Sequence, residues 1–195
     1  MIYLMSFIDN AIVPSIIAVV VTHCLNMYNN WKRKKEKRIN LLNGFLGEIL
    51  AIQGLIRVRK EDFELQDFHN IHEYRFYYLP TTYNYFTVYE SCAQYLGDID
   101  NQSLQQLIIK NYVDLKGLFE NIHDLGKQSI EFNKIILADQ DNSFLPSFAK
   151  WHYEYSAMIL LKQVPIIELQ LKELSIFLSQ EIQFQKSKKW MFIFH

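Results

Sequence analysis

The chain has 195 residues, enough for one hydrophobic core and one appended segment. Half of its residues are hydrophobic, whereas Gly and Pro number only 6 and 4, which excludes a disordered chain and disfavours a many-stranded sheet. The formal charge of -1 conceals an asymmetry, because residues 39–195 carry 14 basic and 19 acidic side chains. Duplex nucleic acid is not expected as a partner, since its binding depends on Lys and Arg that neutralise phosphates.

The first predicted element is an apolar helix. Residues 11–28 read AIVPSIIAVVVTHCLNMY, and residues 9–28 supply the roughly 20 residues that cross a bilayer. A secretory signal peptide is disfavoured, because no positive charge precedes the run and no small-residue cleavage site follows it. We expect a transmembrane segment at residues 1–30, with a hydrophobic core helix as the alternative. Four polar side chains inside it are expected to face another span, most simply that of a second copy: Ser15, Thr22, His23 and Asn26.

A basic segment, WKRKKEKR, follows directly at residues 31–38. Because Lys and Arg accumulate on the cytoplasmic side of membrane spans, we expect the N-terminus outside a bacterial inner membrane and the C-terminal domain in the cytoplasm. Basic and aromatic side chains of this kind meet anionic lipid headgroups. The expected interface residues are Trp31, Lys32, Arg33, Lys34, Lys35, Lys37 and Arg38, with Trp190 near the C-terminus.

Residues 39–185 are predicted to form a cytosolic bundle of about four helices, so the fold class is all-α. Apolar residues recur at three- and four-residue steps after the basic segment, which predicts that the membrane helix continues to about residue 59. Gly44, Gly47 and Gly54 in this stretch indicate either close helix packing or a bendable region.

Three further helices are predicted. A short aromatic helix extends from an N-cap at Thr81 or Thr82 to Gly97, and a long helix begins after Asn101. The last helix follows a loop at residues 138–147 and is kinked or divided by Pro165. The apolar stripes of the two long helices can serve the bundle core or self-association. The first stripe comprises Leu104, Ile108, Leu115, Leu118, Ile122 and Leu125, and Phe132 and Ile136 fit its continuation. The second comprises Phe148, Trp151, Tyr155, Met158, Leu161, Val164, Ile167, Leu171, Leu174, Leu178 and Ile182.

The tail at residues 186–195 combines lysines with an aromatic cluster and is too short to span a membrane. Contact with the inner leaflet and docking against the bundle are both open for it.

No catalytic signature is visible, and neither an enzymatic activity nor a metal or cofactor is expected. His69 and His72 are three residues apart but lack the glutamate of a hydrolase motif, which favours ordinary loop histidines. A small nucleotide is one possible ligand, because arginine binds phosphate and aromatic rings stack on bases. The alternative is that the charged residues are solvated at helix ends and the aromatic residues belong to the core. The candidates are Arg57, Arg59, Lys60, Arg75, Tyr77 and Tyr78.

The stretch LPTTYNYFTVYESCAQYLGDIDNQSLQQLIIKNYVDLKGLFENI, together with the apolar N-terminus and WKRKKEKR, resembles a loose group of bacterial single-pass membrane proteins with a helical cytosolic domain. Members of that group often look like accessory components of antiphage defence loci. The resemblance implies a membrane effector or signalling component that forms a homo-oligomer and perturbs the bilayer. A passive anchor that recruits a cytosolic partner protein is the alternative.

Overall fold

The computed structural model describes residues 2–64, 84–138 and 144–189, and within these ranges it contains helices and no strand. The elements in chain order are α1 (Ile2–Glu64), α2 (Thr87–Cys92), a 3₁₀ helix (Ala93–Asp98), α3 (Gln102–Ala138) and α4 (Phe144–Ser187). The predicted all-α class, with a long apolar N-terminal helix followed by helices that pack against it, is confirmed for this part of the chain.

Helix α1 continues through the basic segment as predicted, and it ends at Glu64 rather than near residue 59. Its second half packs into the bundle, because side chains three and four positions apart lie on one side of a helix. The predicted stripe is confirmed there, with these residues buried: Leu42, Phe45, Ile49, Ile52 and Ile56.

Close packing explains one of the three glycines in this stretch of α1. A Cβ atom added to Gly44 would lie 3.1 Å from Cγ1 of Val88, so α2 approaches α1 closely at this point. At Gly47 and Gly54 an added Cβ would meet nothing within 4 Å. The close-packing interpretation therefore applies to Gly44 alone.

The aromatic helix begins later than the sequence predicted. Helix α2 starts at Thr87, and the side-chain oxygen of Asn84 accepts the N–H of Phe86 at 3.0 Å just before it. Asparagine stabilises such turns because its side chain bonds to the backbone two residues onward. The predicted caps at Thr81 and Thr82 lie outside the described residues.

A buried carboxylate joins three helices. Glu48 of α1 accepts the backbone N–H groups of Val88 at 2.7 Å and Tyr89 at 3.1 Å, and the hydroxyl of Tyr112 in α3 at 2.6 Å. The first amides of a helix have no partner within it, and no side chain at the N-cap of α2 supplies one. Glu48 therefore caps α2 from another element and fixes it between α1 and α3.

Helix α3 begins where the sequence predicted and carries the predicted buried stripe. The side-chain oxygen of Asn101 accepts the N–H of Leu104 at 3.1 Å, as an N-cap residue does. Asn101 also contacts Glu181, and Asn121 contacts Gln163, so α3 and α4 are antiparallel. The confirmed core positions are Leu104, Ile108, Leu115, Leu118, Ile122 and Leu125.

Helix α4 begins at Phe144, so the last four residues of the predicted loop are helical. Pro165 lies inside the helix and does not divide it, whereas the predicted kink stays a prediction. In the first half of the helix the predicted stripe does not join the core, because Trp151, Tyr155 and Met158 are exposed. Self-association stays a prediction for these three residues. The side chains of Phe132, Ile136 and Phe148 lie outside the description. The buried face consists of Ala157, Leu160, Val164, Ile167, Leu171, Leu174, Leu178 and Ile182.

Candidate membrane-anchoring site

Helix α1 carries two apolar runs, and the bundle covers only the second of them. Within the described chain, α1 is the helix that is long and apolar enough to cross a membrane. The exposed apolar segment, residues 14–30, contains no buried side chain; Ile17 is 56 % and Val19 69 % exposed. A core helix would bury such residues, whereas a spanning helix presents them to lipid.

Three of the four predicted intramembrane polar residues share one side of the exposed apolar segment. Ser15, Thr22 and Asn26 are separated by seven and four residues, which places them within roughly 40° of one another, with His23 roughly 100° from Thr22. All four side chains are exposed. The helix therefore has a polar edge that the bundle of the same chain does not cover.

Aromatic and basic side chains begin where the exposed apolar segment ends. The rings of Tyr28 and Trp31 lie 6.2 Å apart, and the ammonium of Lys35 lies 5.1 Å from the Trp31 ring centre. Trp31 is half-buried by this arrangement. A tryptophan in such a position suits the boundary between hydrocarbon and headgroups, where its ring is apolar and its surroundings are charged.

The basic segment divides into two sets of side chains. Lys32, Arg33 and Lys34 are exposed to solvent, and Lys32 lies 3.9 Å from Glu36 in the same helix. Lys35, Lys37 and Arg38 bind the bundle instead. Lys37 lies 3.3 Å from Asp98 and 4.2 Å from the ring centre of Tyr95, and Arg38 lies 2.6 Å from Asp100.

Lys35 connects α1 to the end of α4. Its ammonium donates hydrogen bonds to the carbonyl oxygens of Lys186 at 3.0 Å and Lys188 at 2.5 Å. The last carbonyls of a helix lack partners within it and carry partial negative charge, which a lysine neutralises. The ammonium of Lys188 in turn lies 3.3 Å from Asp100. We call Lys35, Arg38, Asp100 and Lys188, together with the end of α4, the junction.

No protein-family model matches this chain, and no curated protein or solved structure matches it either.

The predicted nucleotide site stays a prediction. Arg57 is exposed on α1, and Arg59 and Lys60 belong to the same helix with side chains outside the description. Arg75, Tyr77 and Tyr78 lie outside the described residues, as do His69, His72 and Trp190. In the parts of the chain that the structure describes, no three His, Cys, Asp or Glu residues cluster as metal ligands.

Sequence reasoning missed Glu48 and Asp100, which organise the bundle and the junction. The signal for Glu48 was its place between Phe45 and Ile52, three and four residues away, on the side of α1 that is apolar. Burial, then the hydrogen bond to Glu48, raises the pKa of the Tyr112 hydroxyl. Asp100 carried no comparable signal, because its partners Arg38 and Lys188 are distant in sequence.

Proposed function

We propose that residues 14–30 anchor the protein in a membrane and that the bundle lies on the side of the basic segment. The exposure of this apolar run is the observation that carries the proposal. Large exposed apolar surfaces on a protein indicate contact with lipid or with another chain. A bilayer accommodates all sides of the helix at once, whereas a single protein partner would cover only one side.

The side chains next to the exposed apolar segment support the orientation with the bundle in the cytoplasm. Lys32, Arg33 and Lys34 are exposed immediately after Trp31, where a cytoplasmic leaflet would place anionic headgroups. Each such cation contributes about 1 kcal/mol near an anionic surface. Lys35 and Arg38 are bound at the junction, and Lys37 lies beside Asp98, so these three cations already have partners in the bundle.

We further propose that the protein is a membrane effector or signalling component of a bacterial defence system and acts as a homo-oligomer. The polar edge of Ser15, Thr22 and Asn26 supports this, because helices in lipid associate through small residues and interhelical hydrogen bonds. Only one helix of this kind lies in the described chain, so a second copy supplies the partner most simply. The resemblance to single-pass proteins of defence loci supports the biological setting.

A passive anchor that recruits a cytosolic protein is the second candidate. Exposed apolar side chains on α4, among them Leu169 at 69 %, favour it because they offer the bundle a docking surface. The two candidates differ in their effect on bilayer permeability. An effector changes this permeability when it assembles, whereas a passive anchor does not.

Replacing one exposed valine of the apolar segment tests the anchor. Val20→Asp should move the full chain from the membrane to the soluble fraction, because an aspartate at the centre of a span costs about 2.5–3.5 kcal/mol. Leu50→Asp is the matched control, since Leu50 is similarly exposed on α1 (52 % against 54 %) but lies within the bundle. We expect that control to stay in the membrane. Equal distribution of the two variants between membrane and soluble fractions would contradict the anchor. If the anchor holds, a membrane-potential dye distinguishes an effector, which changes the membrane potential, from a passive scaffold, which does not.

A further inference from the structure

Helix α4 carries a second apolar surface nearly opposite its buried face. Nine large side chains on this side are exposed, and their mean direction lies roughly 160° around the helix from the buried residues. We call them the α4 outer stripe. Its members are Trp151, Tyr155, Met158, Ile159, Ile166, Leu169, Ile176, Phe177 and Phe184.

The α4 outer stripe is continuous enough to be an interface. It extends over roughly 50 Å of helix from Trp151 to Phe184. Exposed side chains of this size contribute on the order of 100 Å² each, so the stripe presents on the order of 900 Å², close to the roughly 800 Å² that each partner buries in a stable complex. Scattered surface apolar residues need no partner, but a patch of this size does.

Lipid does not account for most of this surface. Lys35 holds the end of α4 beside the start of the bundle, and α4 then extends away from that point alongside α1. With the apolar segment of α1 across a bilayer, Phe184 lies nearest the membrane and Trp151 lies roughly 50 Å farther out. A partner in the cytosol must therefore cover the greater part of the stripe.

We propose that the α4 outer stripe pairs with the α4 outer stripe of a second copy, with the two helices parallel. The pairing rests on the membrane anchor proposed above. Because the anchor inserts every copy in one orientation and α1 is continuous, each copy presents its stripe at the same height above the bilayer. Two copies in one membrane can then match their stripes along the whole length only when their helices run in the same direction.

An open groove lies beside the middle of the stripe. It has a volume of about 370 Å³ and lies between α3 and α4, where Val113, Gly117 and Ile166 line it. A Cβ atom at Gly117 would meet nothing within 4 Å, and Val113 is 61 % exposed. Side chains of a second copy can enter this groove from the edge of the stripe.

Two charged residues interrupt the stripe and distinguish the possible arrangements. Lys162 and Glu173 are exposed and lie on the same side of α4 as the stripe. An antiparallel pair centred between them would place each lysine against the glutamate of the second copy. Copies anchored in one membrane cannot adopt that arrangement. In the parallel pair Lys162 and Glu173 each lie opposite the same residue of the second copy near the middle of the stripe, so their charged ends must reach solvent along their flexible stems.

Cysteine cross-linking of the full chain in cell membranes tests the proposal. In a background with Cys24→Ala and Cys92→Ala, Ile176→Cys should form disulfide-linked dimers several-fold more than Ser179→Cys, because Ser179 is exposed at nearly the same height but away from the stripe. Co-expressed Ile159→Cys and Ile176→Cys chains report the antiparallel arrangement, since these two positions are equally distant from its centre. In the parallel pair we expect few mixed dimers.

The outcomes separate the two proposals. Membrane-bound chain that gives equal yields at Ile176→Cys and Ser179→Cys overturns the pairing and leaves the anchor intact. Predominant mixed dimers overturn the parallel arrangement. Chain found in the soluble fraction overturns the anchor. The disulfide-linked dimers measured in that fraction still decide whether the stripe pairs and in which direction. Ile166→Glu combined with Leu169→Glu should abolish the Ile176→Cys dimer while the chain stays in the membrane.

Discussion

At the scale of single residues, Glu48 and Tyr112 carry much of the specificity of the bundle. Glu48 accepts hydrogen bonds from two partly buried backbone amides and from the buried hydroxyl of Tyr112. A buried polar group without a hydrogen bond costs about 1–3 kcal/mol. The ring of Tyr112 also stacks on Tyr89 with centroids 4.1 Å apart. The pair thereby sets both the position of α2 and the register of α1 against α3.

Tyr112→Phe should change how stability depends on pH. Burial raises the pKa of the Tyr112 hydroxyl, whereas a tyrosine in an unfolded chain ionises near pH 10. Above about pH 10 the unfolded state has lost a proton that the folded state keeps, so the free energy of unfolding of the wild-type protein falls as pH rises. The variant loses a hydrogen bond to a carboxylate, and we expect it to be less stable by about 1.5–3 kcal/mol at pH 8.

The difference between wild type and Tyr112→Phe should shrink between about pH 10 and 11, because the variant lacks the group that ionises on unfolding. Urea unfolding of the full chain in mild detergent, followed by helical circular dichroism, measures it. Tyr155→Phe is the control, since Tyr155 is exposed. A constant difference across this pH range would contradict the assigned environment of Tyr112.

At the scale of elements, the sequence predicted α3 and the second half of α1 well and α4 only partly. Each of the first two has one apolar stripe, so the spacing of Leu104 to Leu125 leaves a single side to bury. Helix α4 has two, and apolar spacing does not tell which one meets the core. The sequence therefore placed Trp151 and Tyr155 in one stripe with residues that the core buries, although the structure exposes these two. Which of the two stripes of α4 is buried depends on the helices that pack beside it.

The junction could not be predicted, because none of its contacts is local in sequence. Lys35 is 151 residues from Lys186, and Arg38 is 62 residues from Asp100. In the sequence these cations belong to a uniform basic segment, and membrane contact explained all of them. The structure distinguishes Lys32, Arg33 and Lys34 from the three cations that the bundle binds.

Lys35→Met should loosen the end of α4. Methionine keeps the length and the apolar stem of the lysine but removes the donors that reach the carbonyls of Lys186 and Lys188. A cation at a helix C-terminus contributes about 0.3–1 kcal/mol, so amide hydrogens of residues 183–188 should exchange about 2- to 5-fold faster. Hydrogen exchange by mass spectrometry measures this. Lys32→Met should leave exchange unchanged, because the ammonium of Lys32 lies 3.9 Å from Glu36 on its own helix. An equal effect of both variants would contradict the capping role.

At the scale of the whole molecule, the continuity of α1 links the exposed apolar segment to the bundle. A helix without a break transmits rotation as well as position, since each residue turns it by roughly 100°. The direction of the polar edge at Thr22 is therefore fixed relative to the α4 outer stripe through the rigid contacts of the junction. Lys35, which contacts the end of α4, lies roughly 140° around α1 from Thr22, so the polar edge points away from α4. If both surfaces serve one homo-oligomer, they therefore contact different neighbouring copies.

Alanine insertions after Asn30 test whether the two surfaces act together. Two alanines turn the apolar segment by roughly 200° relative to the bundle, whereas seven turn it by roughly 700°, nearly two complete turns. In a chain that carries both Thr22→Cys and Ile176→Cys, with Cys24 and Cys92 replaced by Ala, the uninterrupted helix should form cross-links to different neighbours at the two positions and so give species larger than a dimer. We expect the seven-residue insertion to keep both links and the two-residue insertion to lose one of them, because only the former restores the original facing. Membrane fractionation checks that each variant still inserts. Equal loss of cross-links in the two insertion variants would mean that the length of the helix matters and the rotation of the apolar segment does not. Retention of both links in the two-residue variant would mean that the apolar segment and the bundle assemble independently.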